Sequence, residues 1–242
     1  MDRKLVKILG CNVDSFTKEQ AIEYIYEHRG NVLTINPEMI RNAKNNNEFL
    51  SLINETSLTI PDGIGVQIGL KILGYDVKRI AAIEFGETLI SKFSNPNEKI
   101  AFIGAKKDVV ELAVSRLKEK FPEMNVAYVH DGYFENDEQI ISEVTDAAPS
   151  LILVALGSPK QEFFIEKLKN RLNSAVMIGL GGSFDVWSGK LKRAPKIYQK
   201  LGLEWLYRTI KEPKRLKRIV PTLPIFVVEV IKERLLRKNY AN

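Results

Sequence analysis

The chain has 242 residues, 45% of them hydrophobic and 27% charged, with a formal net charge of +6, enough apolar material for one large domain or a domain with an appendage. A single cysteine, Cys11, excludes a disulfide-stapled scaffold and fits a reducing compartment. The opening stretch MDRKLVKILGCNVDSF is too polar, and its apolar run too short, for a secretory signal, so the sequence reads as cytoplasmic.

Along the chain, short apolar runs alternate with helical stretches. LVKIL (5–9) is followed by Thr17-Lys18-Glu19-Gln20, a capping box that starts a helix through about His28. NVLTIN (31–36), SLTIP (57–61), KIAFIG (99–104), NVAYVH (125–130), LILVALG (151–157) and AVMIGLGG (175–182) read as further strands, and Asp108 is placed to cap a helix ending near Lys120. Strands that are apolar throughout, joined by helices, belong to a parallel sheet covered on both faces. The predicted fold is therefore α/β, a Rossmann-like, largely parallel sheet, with residues 1–194 as the catalytic domain and 195–242 as a basic helical appendage.

In such sheets ligands collect beyond the carboxyl ends of the strands. Here those ends read Asn36-Pro37, Asp62-Gly63, Gly104-Ala105, Gly157-Ser158-Pro159 and Gly181-Gly182-Ser183. Small and turn-forming residues let backbone N–H groups approach a phosphate, which makes Gly104, Gly157, Gly181 and Gly182 candidates for a nucleotide-phosphate loop. Asp62 closes the strand in TIPDGIGV. A carboxylate there suits a general base at the mouth of a cleft and equally suits a helix N-cap; local sequence leaves both readings open.

Other patterns carry less. Gly63, Gly65 and Gly69 form a GxGxxxG after a strand, but no acidic residue follows at the distance a dinucleotide site needs, and glycines that let a helix pack closely explain the pattern as well. Cys11, His28 and His130 make no spaced metal-ligand set, and His130-Asp131 reads better as a strand-end histidine than as an acid–base pair. There is no P-loop, G-x-S-x-G or C-x-x-C, and no Asp-x-Asp of the kind that holds a metal in nucleotide-sugar transferases. No metal and no cofactor are expected; helix N-termini and cations are left to neutralise any bound phosphate.

The last fifth differs in charge. From Lys190 onward there are 15 Lys and Arg against 4 Asp and Glu, whereas the residues before it carry 21 against 26. Such an end suits a polyanion-binding element or a solubilising tail. Beyond Pro221, the apolar residues Leu223, Ile225, Phe226, Val227, Val228, Val230 and Ile231 run too short to span a bilayer. Interspersed with cations, they suit a helix lying on an anionic membrane surface, or one packed on the body or across a subunit interface of a homo-oligomer. Nucleic-acid binding is disfavoured, because the tail interleaves few aromatics suited to stacking.

Six stretches taken in order resemble the motifs of the WecG/TagA/CpsF glycosyltransferase family (glycosyltransferase family 26). They are Leu33-Thr34-Ile35-Asn36-Pro37, Ile60-Pro61-Asp62-Gly63-Ile64-Gly65, Phe102-Ile103-Gly104-Ala105-Lys106, His130-Asp131-Gly132-Tyr133-Phe134, Gly157-Ser158-Pro159-Lys160-Gln161-Glu162 and Gly181-Gly182-Ser183-Phe184-Asp185. Residues 189–195 and 201–208 look like the same family's C-terminal signature. The resemblance implies transfer of a sugar from a UDP-sugar donor to a polyprenyl-diphosphate-linked sugar acceptor at the cytoplasmic membrane face. In the teichoic-acid branch, which the chain is most similar to, the sugar is N-acetylmannosamine and the acceptor undecaprenyl-diphosphate-GlcNAc; other members use glucose or uronic acids. By the same resemblance Asp62 matches the catalytic base, Thr34 and Asn36 the acceptor side of the pocket, and Gln161 a position near the nucleotide sugar. Arg79 matches an arginine beside the site, and Arg208, Arg215 and Arg218 match arginines that meet the acceptor's diphosphate. The chain departs from the family pattern after Arg79, where it has Ala82 in place of a glycine and Glu84 as the nearby acid.

Overall fold

The computed structural model describes residues 2–211 and 216–239, without the side chains of Lys200, Arg208, Lys211 and residues 216–221. The chain opens with a hairpin, β1 (Leu5–Ile8) and β2 (Cys11–Asp14), turned by Leu9 and Gly10, both at positive φ. It is antiparallel and stands apart from the main sheet, so the run read as the first sheet strand belongs elsewhere. Asp14 anchors it: its buried carboxylate receives Nε and Nη2 of Arg3 at 2.8 Å each and the backbone N–H of Thr59 at 2.8 Å.

The chain continues through α1 (Lys18–His28), β3 (Gly30–Ile35), α2 (Pro37–Lys44), α3 (Asn47–Glu55), β4 (Leu58–Pro61), α4 (Ile64–Ile72) and α5 (Ala82–Phe93). Next come β5 (Lys99–Gly104), α6 (Lys107–Lys120), β6 (Asn125–His130), α7 (Asp137–Ala147), β7 (Leu151–Ala155), α8 (Lys160–Lys169) and β8 (Val176–Gly179). The last helices are α9 (Ser183–Trp187), α10 (Lys196–Lys200), α11 (Glu204–Lys211) and α12 (Leu216–Asn239). The six strands β4-β3-β8-β7-β5-β6 pair in that order, every pair parallel. The expected α/β architecture, a parallel sheet covered by helices, is what the structure has.

Alternate residues of each strand face opposite layers. Val32, Ile60, Phe102, Leu153 and Ile178 pack under α1, α5, α6 and α9. Ile103, Ile152, Val154 and Met177 pack under α7 and α8. A third cluster joins the hairpin to α2, α3 and α4 and takes in Phe226 and Val230 of α12. Helix starts follow local chemistry: Thr17 caps α1 in the predicted box with Gln20, and Asn36 caps α2 with Pro37 in its first turn. Asp108 does not cap α6. The helix begins after Lys106, because Gly104 and Ala105 at positive φ bring it straight off β5, and Asp108 in its first turn pairs with Lys190.

α12 runs through Pro221 and Pro224, each of which costs the helix a backbone hydrogen bond. Tertiary contacts compensate. Glu229 receives Lys44 Nζ at 2.6 Å, Glu233 receives the N–H of Leu9 at 2.8 Å, Arg237 donates to Lys7 O at 2.7 Å and Tyr75 Oη at 2.9 Å, and Arg234 donates to Ile72 O. Two of the glycines of GxGxxxG, Gly65 and Gly69, serve this packing, their Cβ positions 3.3 Å from Leu223 Cδ2 and 3.1 Å from the Phe226 ring. A Cβ at Gly65 would sit 2.7 Å from Pro37 Cγ, and one at Gly69 2.8 Å from Ile8 Cδ1. The opposite face of α12 is open: Ile225, Val228, Ile231 and Leu235, three or four residues apart, are exposed beside Leu236. The tail helix is thus packed on the body along one face and apolar along the other. Among the described residues no helix is long and apolar enough to cross a membrane.

Candidate active site

A cleft of about 620 Å³ opens at the carboxyl ends of β3, β4, β5, β7 and β8, within the roughly 300–1,000 Å³ usual for small-molecule sites. Thr34, Asn36, Asp62, Arg79, Gly157, Gln161, Gly181 and Gly182 all line it. Eight of the predicted site residues, scattered over 149 positions of sequence, therefore meet in one place.

Asp62 follows β4 directly. Its N–H donates to Ile35 O at 2.8 Å, extending the β3–β4 ladder by one rung. The N-cap of α4 is the next residue, Gly63, at φ 85° and ψ 143°, a conformation nearly confined to glycine. Asp62 therefore sits one position before the N-cap residue and lines the cleft. Asn36 contributes to the lining while its Oδ1 is occupied, accepting from Glu38 N at 3.0 Å and Met39 N at 3.1 Å. Thr34 is buried on β3, its hydroxyl donating to Gly179 O at 3.2 Å.

Gln161 is 4% exposed and lies against Gly179, where a Cβ would come 2.6 Å from its Nε2. Its Oε1 accepts from Gly181 N at 3.1 Å and its Nε2 donates to Glu162 Oε1 at 2.8 Å. The Gly181 N–H is thus engaged by a side chain, while Gly157 and Gly182 remain at the cleft wall. Gly104 is absent from the lining. It backs onto β7, where a Cβ would meet Ala155 O at 2.4 Å, and Ala105 takes the cleft position.

Arg79 is tied to the C-terminal helices. Its Nη1 donates to Glu204 Oε2 at 3.4 Å and its Nη2 to Gln199 O at 3.1 Å. Arg193 completes a chain of ion pairs, reaching Glu204 Oε1 at 3.2 Å and Glu84 Oε1 at 2.6 Å. Glu84, the acid of the segment that departs from the family pattern, is thereby held at the foot of the appendage. Arg215 lies outside the described residues, as do the side chains of Arg208 and Arg218.

Sequence reasoning did not select Asp185, Ser183, Glu38, Trp205, Thr222 or Leu223, which also line the cleft. Asp185 stood within a quoted motif, two residues past Ser183. The others come from helix starts and from α11 and α12, whose approach to the cleft no local pattern announces. Among the described residues the charged lining is Glu38, Asp62, Asp185 and Glu204 against Arg79, and no three His, Cys, Asp or Glu side chains cluster as a metal site.

The parallel α/β sheet thus has its cleft beyond the carboxyl ends of the strands, the ligand end of such folds, with Asp62 at the β4 terminus. The profile of the glycosyl transferase WecG/TagA/CpsF family matches residues 6–240. The chain belongs to that family and is a glycosyltransferase. It is 34% identical over 220 residues, 90% of this chain and 85% of the relative, to an N-acetylglucosaminyldiphosphoundecaprenol N-acetyl-beta-D-mannosaminyltransferase of Bacillus spizizenii. Proteins of the same name from Bacillus subtilis strain 168 and Staphylococcus aureus strain MW2 are each 34% identical, over 97% and 95% of this chain and 92% and 93% of theirs.

Proposed function

We propose that this enzyme transfers N-acetylmannosamine to undecaprenyl-diphosphate-linked GlcNAc, as the names of its relatives state for them, taking the sugar from UDP-N-acetylmannosamine with Asp62 as general base. The observation that carries the reading is Asp62 in the cleft wall at the end of β4, among the glycine-bearing ends of β7 and β8. In the proposed step Asp62 accepts the proton of an acceptor hydroxyl as that oxygen bonds to the anomeric carbon. The bond from that carbon to the β-phosphate oxygen breaks on the opposite side, and UDP departs with the electron pair, so the configuration inverts. One base suffices, and such assistance is typically worth about 10²–10⁴-fold.

The leaving diphosphate needs positive charge. Arg79 is the cation in the described lining and is already shared with Glu204; the glycine-bearing strand ends and nearby cations are assigned to the leaving diphosphate, and Arg208, Arg215 and Arg218 of the appendage from residue 195 onward to the acceptor's diphosphate. The exposed face of α12, with Lys232 and Lys238 on the same helix, supports peripheral attachment to the anionic inner face of the cell membrane.

The test is UDP release with a panel of UDP-sugars and a lipid-diphosphate-GlcNAc acceptor, for wild type and Asp62→Asn, with and without chelator. Turnover with UDP-N-acetylmannosamine that Asp62→Asn loses while keeping its thermal transition supports the reading. Turnover with UDP-glucose or a UDP-uronic acid instead keeps the mechanism and changes the donor. Full activity of Asp62→Asn removes Asp62 from the chemistry, and loss of activity on chelation overturns metal independence.

A further inference from the structure

Glu162 is a buried carboxylate that the mechanism above does not use. It is 5% exposed at the third position of α8, directly behind the cleft wall. Its Oε1 accepts the 2.8 Å bond from Gln161 Nε2. Its Oε2 is buried without a hydrogen-bond partner in good geometry, with the Ser158 side chain as polar neighbour. A buried carboxylate with one oxygen left without a partner costs stability.

What it does is legible in the bonds of Gln161. A primary amide has a donor end and an acceptor end. With Glu162, an acceptor, fixed on the α8 side, the NH₂ of Gln161 must face it. The Oε1 is then turned toward Gly181 N, which it meets at 3.1 Å. On the β8 side the amide packs close against Gly179, where a Cβ would come 2.6 Å from its Nε2. Gly181 is at φ 48° and leads into Gly182, which lines the cleft and precedes α9.

We infer that Glu162 is a positioning residue for sugar transfer, acting through the Gln161 amide to hold the Gly181-Gly182 turn in its ligand-ready shape. The inference rests on the glycosyltransferase site proposed above. It separates two properties of Glu162: hydrogen-bond acceptance, which the role requires, and negative charge, which it does not.

Three variants of the full chain test it, read as kcat and KM for the nucleotide sugar together with the thermal transition. Glu162→Met keeps the bulk and removes the acceptor; kcat/KM is expected to fall about tenfold, about the size of one lost hydrogen bond. Glu162→Gln keeps an acceptor oxygen and drops the charge; kcat/KM is expected to stay within about twofold of wild type. In a Gln161→Ala background, Glu162→Met is expected to add no further loss, because the path through Gln161 is already cut. Equal effects of Met and Gln, or losses that multiply in the double variant, would overturn the inference while leaving the glycosyltransferase reading intact. A wild-type chain that turned over no UDP-sugar would overturn both.

Discussion

Phe226 of α12 rests on Gly69 of α4: a Cβ at position 69 would lie 3.1 Å from the ring atoms Cε1 and Cζ. The contact joins the C-terminal helix to the body through a gap that only a missing side chain provides, and both residues are fully buried or nearly so. Phe226→Ala is expected to cost about 3–5 kcal/mol, as for a large core aromatic. The loss should appear as earlier proteolysis within α12 before the α/β body melts. Cleavage no faster than in wild type would show that Phe226 does not hold the helix.

Gly63 sets the direction in which the chain leaves Asp62. At φ 85° and ψ 143° an L side chain is strained although nothing lies within 4 Å of its Cβ. Gly63→Ala is therefore expected to destabilise by about 1–3 kcal/mol, and to lower kcat further by moving Asp62. UDP release and thermal melting measured together separate the two effects; unchanged kcat would uncouple Gly63 from the carboxylate.

Glu204 bridges Arg79 and Arg193 across the cleft rim, its side chain only 14% exposed. Glu204→Gln leaves Arg79 with Gln199 O and Arg193 with Glu84. A loss of about 1 kcal/mol is expected from the partly exposed network, with faster hydrogen exchange in α10 and α11 as its signature. Exchange confined to the wild-type rate would mean that the helices are held elsewhere.

Burial pushes the Glu162 carboxyl above its ordinary value, against the weaker help that hydrogen bonds from Gln161, Ser158 and its own backbone give the ionised form. The folded chain then holds a proton that the unfolded chain releases near pH 4.3. Stability contributed by this site falls as pH rises above that value and levels off beyond the folded titration. Glu162→Gln lacks the titration, so its stability relative to wild type should increase from pH 4 toward neutrality in denaturant titrations. A pH-independent difference would place the carboxylate in a more solvated setting.

The open face of α12 predicts membrane attachment. Replacing Ile231 and Leu235 by Glu reverses the character of the exposed stripe without touching Phe226 or Val230. Wild type is expected to float with vesicles rich in anionic lipid and the double variant to remain behind. If wild type instead ignores vesicles and the double variant changes its oligomeric state, the stripe is a subunit interface.

Sheet and cleft were legible because their signals are local. Continuous runs such as LILVA and KIAFI mark strands buried on both faces, and the turn residues after them mark the ligand end. The hairpin was not, since CNVD offers four residues of mixed polarity and its pairing depends on a two-residue turn at positive φ. The partners of Arg79 were hidden for a different reason: Glu204 lies 125 residues away, and only the docking of α10 and α11 brings it near. Glu162 was in view within a quoted motif, yet composition places a glutamate on the surface, and its burial follows from how α8 leaves β7.

The order in which the chain is made adds a constraint. Leu9 and Lys7 of the hairpin meet Glu233 and Arg237, 224 and 230 residues further on. Until α12 is synthesised, the apolar ground formed by Ile8 and Gly69 has no cover, and Thr222 and Leu223 are missing from the cleft. Closure of so long a loop comes late. A nascent chain would thus complete its sheet first and acquire a finished cleft rim last, so that Asp62 meets a closed cleft only once α12 exists.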